Sequence, residues 1–157
     1  MDHDHGLCID GALARADGLC NRRGARLTVL RRRVLELVWQ DHTAVKAYDL
    51  LRQLGEHPAA ASASVKPPTV YRALDFLLAH GLIHRLESLN AYVGCPRPDR
   101  AHDGSFLICE RCGKVREVGS EALDSLLDEA AADHDFTLRA RTVELRGICR
   151  PCQGRPS

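Results

Sequence analysis

Two Cys-x-x-Cys knuckles, Cys109-Glu-Arg-Cys112 and Cys149-Arg-Pro-Cys152, constrain this chain more than any other feature. Two intervening residues let both sulfurs of a knuckle bind one ion. Four thiolates at about 2.3 Å around Zn²⁺ make a closed, structural site. The interval from Cys112 to Cys149 exceeds that of a compact zinc ribbon, so it must hold a small lobe whose ends meet. Redox-active dithiols are the competing reading, but a thioredoxin-like βαβ setting is missing. The chain has seven cysteines, an odd number that speaks against a closed disulfide framework. Cys8 and Cys20 lack a spacing partner and read as free thiols.

That lobe is too small to bury much apolar area, which gives a zinc staple a use. Ser120 suits the cap of a helix whose Leu123, Leu126, Leu127 and Ala130 share a face. Phe136 to Leu145 alternates as a strand with a phase slip near Thr142, as at a bulge. A short sheet with one helix leaves an edge that dimerisation would protect.

Upstream, the pattern is helical. Residues 10–24 place Leu13, Ala16 and Leu19 or Cys20 on one side, with Gly24 as the stop. Thr28 is an N-cap for a helix carrying Leu30, Val34, Leu37 and Val38 inward. Trp39 packs near its end. Ala47 to Leu54 is a short third helix burying Leu50, Leu51 and Leu54. His57 to Val65 is a loop of small residues. Pro67 and Pro68 suit a helix N-terminus. Val70, Leu74, Leu77 and Leu78 line the next helix, Gly81 stops it, and a hairpin turns near Ser88–Asn90. This order is that of a winged helix-turn-helix, whose second motif helix enters the major groove of DNA. Thr69, Tyr71 and Arg72 lie at the start of that helix, just after Lys66. Arg suits a bidentate contact to guanine, and hydroxyls suit phosphates or base edges. A surface pair with Asp75 is the plain alternative for Arg72, and packing is the alternative for Tyr71. Tyr48 is equally open between the two roles.

Charge supports the division. The net charge is +1, yet Cys20–Arg72 holds ten Lys/Arg against four acids, while Leu89–Ser157 holds ten against eleven. A polyanion would meet the N-terminal lobe. No apolar run approaches the ~18 residues of a membrane span, and MDHDHGLCIDG lacks the form of a signal peptide. A cytoplasmic protein with reduced thiols is expected. Asp2-His3-Asp4-His5 reads as a disordered end rather than a metal site.

His84, Cys95, His102 and Glu117 form a second set of metal-binding residue types, spread over the hairpin, a proline-rich linker and the strand after the first knuckle. A site drawn from separate elements can act as a switch, because metal favours the arrangement that completes it. The thiolate favours zinc over iron or manganese. Taken singly, His84 could be a wing surface residue, Cys95 a small buried side chain, His102 a loop histidine and Glu117 a solvated strand residue.

The motifs RLTVLRRRVLEL, AYDLL, KPPTVYRALDFLLAHGLIHRLES, YVGC, FLICERCGKVRE and GICRPC resemble those of the ferric uptake regulator superfamily, most closely its zinc uptake regulator branch. They span most of Cys20 to Cys152. The resemblance implies an α+β chain: a winged helix-turn-helix domain over 1–94, a hinge over 95–104 and an α/β dimerisation domain over 105–157. It implies a homodimer on AT-rich palindromic operator DNA, repressing zinc-uptake genes when zinc is bound. Neither an enzyme nor a small-molecule substrate is implied. Cys109, Cys112, Cys149 and Cys152 match the structural zinc site. His84, Cys95, His102 and Glu117 match the regulatory one, giving two Zn²⁺ per subunit. Tyr48 and Arg72 match base-reading positions, and Tyr71 a phosphate-contacting one. The histidine-rich run of iron-responsive relatives is reduced here to His102, which disfavours iron and peroxide sensing. Some relatives have a third metal site using a histidine of the late strand, where this chain carries Arg141. An iron- or manganese-responsive repressor of the same fold is the alternative, and a zinc enzyme or zinc-storage protein the alternative of another class.

Overall fold

The computed structural model describes residues 5–56, 65–100 and 102–154. The chain divides into two compact units, Met1–Ala101 and His102–Ser157.

The first unit is built on helices α1 (His5–Arg22), α2 (Val29–Trp39), α3 (Ala47–Gly55) and α4 (Pro67–Ala79), followed by strands β1 (Ile83–Leu86) and β2 (Ala91–Gly94). Helix α1 begins five residues earlier than its apolar spacing at 10–24 implies. Ile9 extends the inward face and packs on the core beside Ala12 and Leu13, so burial carries the helix back toward the N-terminus. Residues 2–4 lie outside the described residues. Gly24 follows the helix at φ 64°, a conformation that favours glycine. The Thr28 hydroxyl accepts from the Arg31 backbone N–H and starts α2. Val34, Leu35, Leu37, Val38 and Trp39 are buried, whereas Leu30 is half-buried. On α3, Leu50 and Leu54 are buried and Leu51 packs against the core from its margin. Of the loop expected over 57–65, only Val65 lies within the described residues.

Helix α4 starts with Pro67 and Pro68 behind Lys66 as N-cap. The prolines lack only N–H groups that a first helical turn leaves unpaired. Val70, Ala73, Leu74 and Leu77 are buried, and Leu78 is half-buried. Gly81 at φ 68° breaks the helix. The chain then enters an antiparallel hairpin with Ile83 opposite Gly94 and Leu86 opposite Ala91. Asn90, at φ 46°, closes its turn. A β-bridge between Val45 and Tyr92 ties the wing back to the segment before α3. This is the winged-helix order that the sequence implies.

The second unit contains β3 (Gly104–Cys109), β4 (Val115–Glu117), α5 (Glu121–Ala132), β5 (Thr142–Gly147) and the short α6 (Arg150–Gln153). The sheet runs β4-β3-β5, with β3 antiparallel to β4 and parallel to β5. Ser120 caps α5 by accepting from the Leu123 N–H. Strand β5 is shorter than the expected 136–145. It begins at Thr142, where the apolar alternation shifts phase, because only there does the register with Gly104 of β3 begin. The phase slip marks the start of the strand rather than a bulge within one. Among the described residues, no helix is long and apolar enough to cross a membrane.

Candidate metal centres and nucleic-acid interface

The four knuckle cysteines come together in the second unit. The Gly113 backbone, at φ 72°, bends the first knuckle so that its N–H donates to the Cys109 carbonyl at 2.9 Å, while the Cys109 N–H donates to the Lys114 carbonyl at 2.9 Å. In the second knuckle the Cys152 N–H donates to the Cys149 carbonyl at 2.8 Å. Parallel pairing carries β3 to Cys109 opposite Gly147 of β5, which brings the knuckles side by side. All four sulfurs lie within 4.8 Å of one another. The Cys112 and Cys149 sulfurs are 3.7 Å apart. That exceeds a disulfide length of ~2.05 Å and matches the ~3.8 Å edge of a tetrahedron with 2.3 Å zinc–sulfur bonds. The donor set therefore fits a closed tetrahedral ion.

Hydrogen bonding shifts two of the thiols in opposite directions. The Cys149 backbone N–H, 3.4 Å from the Cys109 sulfur, and that of Cys112 stabilise the thiolate and lower its pKa to about 6. Cys152 moves the other way, to about 12, first by hydrogen bonding with Cys149 and then by burial. The Arg111 guanidinium donates to the Cys152 carbonyl at 2.5 Å, fastening the second knuckle to the first. Sequence spacing finds the four cysteines but not this clamp, since it depends on the two knuckles meeting.

The second candidate set comprises two pairs, His84 with Cys95 in the first unit and His102 with Glu117 in the second. In the first unit, His84 lies on β1, opposite Val93 of β2. Cys95 follows β2, and its N–H donates to the Leu82 carbonyl at 3.0 Å. Cys95 is buried and His84 half-buried, with their ligand atoms within 4.8 Å of each other. In the second unit, Glu117 ends β4 opposite Phe106, and its Oε1 lies 2.5 Å from His102 Nε2. The Glu117 side chain is 5% exposed, so its carboxylate is drawn in toward the histidine rather than solvated. Each half is a pair of convergent donors, and imidazole, thiolate and carboxylate together suit zinc.

The N-terminal end of α4 is open. Lys66, Thr69, Tyr71 and Arg72 are all exposed. Tyr71 is 48% exposed, which removes packing as its main role. Tyr48 on α3 is 72% exposed. The N-terminus of a helix favours anions, and Lys66 adds charge there. Hydroxyls and a guanidinium at this end suit phosphates and base edges.

A profile of the ferric uptake regulator family matches residues 22–146. The zinc uptake regulation protein of Escherichia coli strain K12 is 43% identical over 141 residues, covering 89% of this chain and 80% of that one. A structure of a zinc uptake regulator complexed with zinc and DNA is 42% identical, with a TM-score of 0.84 over 92% of this chain and 95% of that chain. The crystal structure of holo XcZur is 40% identical, with a TM-score of 0.81 over 91% and 97%. The chain belongs to the ferric uptake regulator family.

Proposed function

We propose that this protein is a zinc-responsive transcriptional repressor, a cytoplasmic homodimer that binds AT-rich palindromic operators of zinc-uptake genes when zinc is bound. The observation that carries the choice of metal is the Cys95 sulfur beside His84, since a soft donor selects zinc over iron or manganese. The similarity to a regulator complexed with zinc and DNA supports the pairing of metal with DNA. Membership of a family of regulators, together with four knuckle cysteines that can close a tetrahedral site, tells against a zinc enzyme.

Two zinc ions per subunit are assigned. Cys109, Cys112, Cys149 and Cys152 hold the structural ion. His84, Cys95, His102 and Glu117 hold the regulatory one, with residues 95–104 as the hinge between a DNA-binding domain over 1–94 and a dimerisation domain over 105–157. Bound zinc supplies a Lewis-acid centre that favours whichever arrangement presents all four donors. His84 and Cys95 belong to the wing and its exit, so they couple this choice to the placement of α4. His102 and Glu117 exchange their mutual contact for ligation. On DNA, Arg72 and Tyr48 read bases, while Lys66, Thr69 and Tyr71 hold the backbone. Dimerisation covers apolar side chains that one chain leaves in water: Leu107 and Leu145, register partners on β3 and β5, are 42% and 52% exposed, and Leu126 is 62% exposed.

The test is metal choice. Protein stripped of its exchangeable metal and offered zinc, iron(II) and manganese(II) together is expected to take up zinc at the second site and then bind operator DNA. Cys95→Ser should lose that selectivity while keeping the four-cysteine zinc. DNA binding driven by iron or manganese at the second site would overturn the assignment in favour of the other branch of the fold.

A further inference from the structure

The Arg141 guanidinium gathers three carboxylates of the second unit. Its Nε lies 2.9 Å from Asp103 and 3.7 Å from Asp124, and its NH1 lies 2.9 Å from Asp128. NH1 also donates to the Asp124 backbone carbonyl at 3.1 Å. The side chain is 22% exposed, less than any of the three acids around it. These contacts follow from register. Thr142 pairs with Gly104 at the first rung of the parallel β3/β5 ladder, so the residues just before them, Arg141 and Asp103, face each other at its end. Asp124 and Asp128 are spaced i,i+4 and lie on one side of α5. One guanidinium thereby joins the starts of β3 and β5 to α5.

Asp103 is the immediate neighbour of His102. The other member of that donor pair, Glu117, is fixed by strand pairing, opposite Phe106. His102 precedes the first rung of β3 and has no place in the ladder. Beside the His102–Glu117 contact itself, the ion pair of its neighbour Asp103 with Arg141 ties this end of the chain to the start of β5 and to α5. We infer that Arg141 is a positioning residue for the regulatory zinc site: by holding Asp103 it keeps His102 facing Glu117 whether or not metal is present. The inference rests on the assignment of His102 as a zinc ligand. Its physical basis is that a ligand oriented in advance binds without first being ordered, and that partners behind a ligand change metal affinity by about 10- to 100-fold. Arginine suits the task because its planar fork meets several acceptors at once, which an ammonium cannot copy.

The test uses the full-length dimer with its four-cysteine zinc in place. Zinc affinity of the second site is measured by chelator competition, and the thermal midpoint is taken on the same protein before that site is filled. Arg141→Ala and Asp103→Asn are each expected to weaken second-site zinc by about tenfold or more, and the double variant to be no weaker than either single one. Asp128→Asn, which loosens only the α5 arm, should lower the thermal midpoint and leave the affinity unchanged. Arg141→Lys should recover only part of the affinity. Unchanged affinity in Arg141→Ala would overturn the inference, as would an Asp128→Asn defect equal to that of Asp103→Asn. The ligand assignment is checked separately with His102→Ala. If that variant keeps its affinity, the assignment fails; if it loses affinity while Arg141→Ala does not, the positioning role alone fails.

Discussion

Arg72, Gly94 and Cys20 show how differently single positions carry the account. Arg72 is exposed at the N-terminal turns of α4. Its replacement by alanine should lose about 1–3 kcal/mol of discrimination at one operator base pair, read as the ratio of affinities for the operator and a singly substituted operator. Equal affinities for both in the wild type would remove Arg72 from base reading. Lys66→Ala should instead weaken all sequences alike and reduce the salt dependence. Gly94 ends β2 against the face of Trp39; a Cβ there would come 2.2 Å from the indole. Gly94→Ala must displace the ring, at a cost of about 1–3 kcal/mol, measured by denaturant unfolding with Trp39 fluorescence as the probe. An unchanged midpoint would contradict the packing. Cys20 is 1% exposed, and burial, followed by the charge of Asp17, pushes its thiol pKa up. It should resist alkylation in the native protein and react once unfolded. The two candidate donor sets were legible in the sequence, the cysteine knuckles from their spacing and His84, Cys95, His102 and Glu117 from the family resemblance. The glycine against Trp39 and the Arg141 cluster were not, because each needs a contact between segments that no local pattern encodes.

Among the elements, helices were the most readable. Thr28 and Ser120 occupy their caps as the sequence implies, and the buried stripe of α4 gains Ala73 while Leu78 is only half-buried. Ser120→Ala should cost about 1 kcal/mol, seen as an earlier thermal midpoint for the second unit, and no change would mean the cap bond is not held in solution. Helix α5 carries the apolar stripe Leu123, Leu126, Leu127 and Ala130, yet none of its residues is buried. Periodicity marks a face for burial but not whether the same chain buries it. In the proposed dimer, a second copy covers part of this surface. Leu126→Asp should therefore shift the protein toward monomer in sedimentation while its winged-helix unit stays folded; a dimer of unchanged stability would assign that surface elsewhere. Strand β5 was read too long at its start, because alternation continues through Phe136–Ala140, ahead of the rungs with β3 that begin at Thr142.

At the scale of the molecule, the sequence separates a basic, helical N-terminal part from a cysteine-stapled C-terminal part, and the chain divides into Met1–Ala101 and His102–Ser157. The sheet order β4-β3-β5, with its parallel pair, was beyond reach, since register depends on which edges meet. It is that pairing which closes the long gap between the knuckles. Cys112→Ser should accordingly lose the structural zinc and the fold of the second unit, whereas Cys95→Ser should leave both intact. Whether the protein converts zinc availability into DNA binding is measured by titrating zinc into operator-binding reactions while determining metal content on the same samples. One zinc per subunit and weak binding are expected at low free zinc, then tight binding as a second zinc enters. Operator affinity that stays constant while the second zinc is taken up would contradict that conversion.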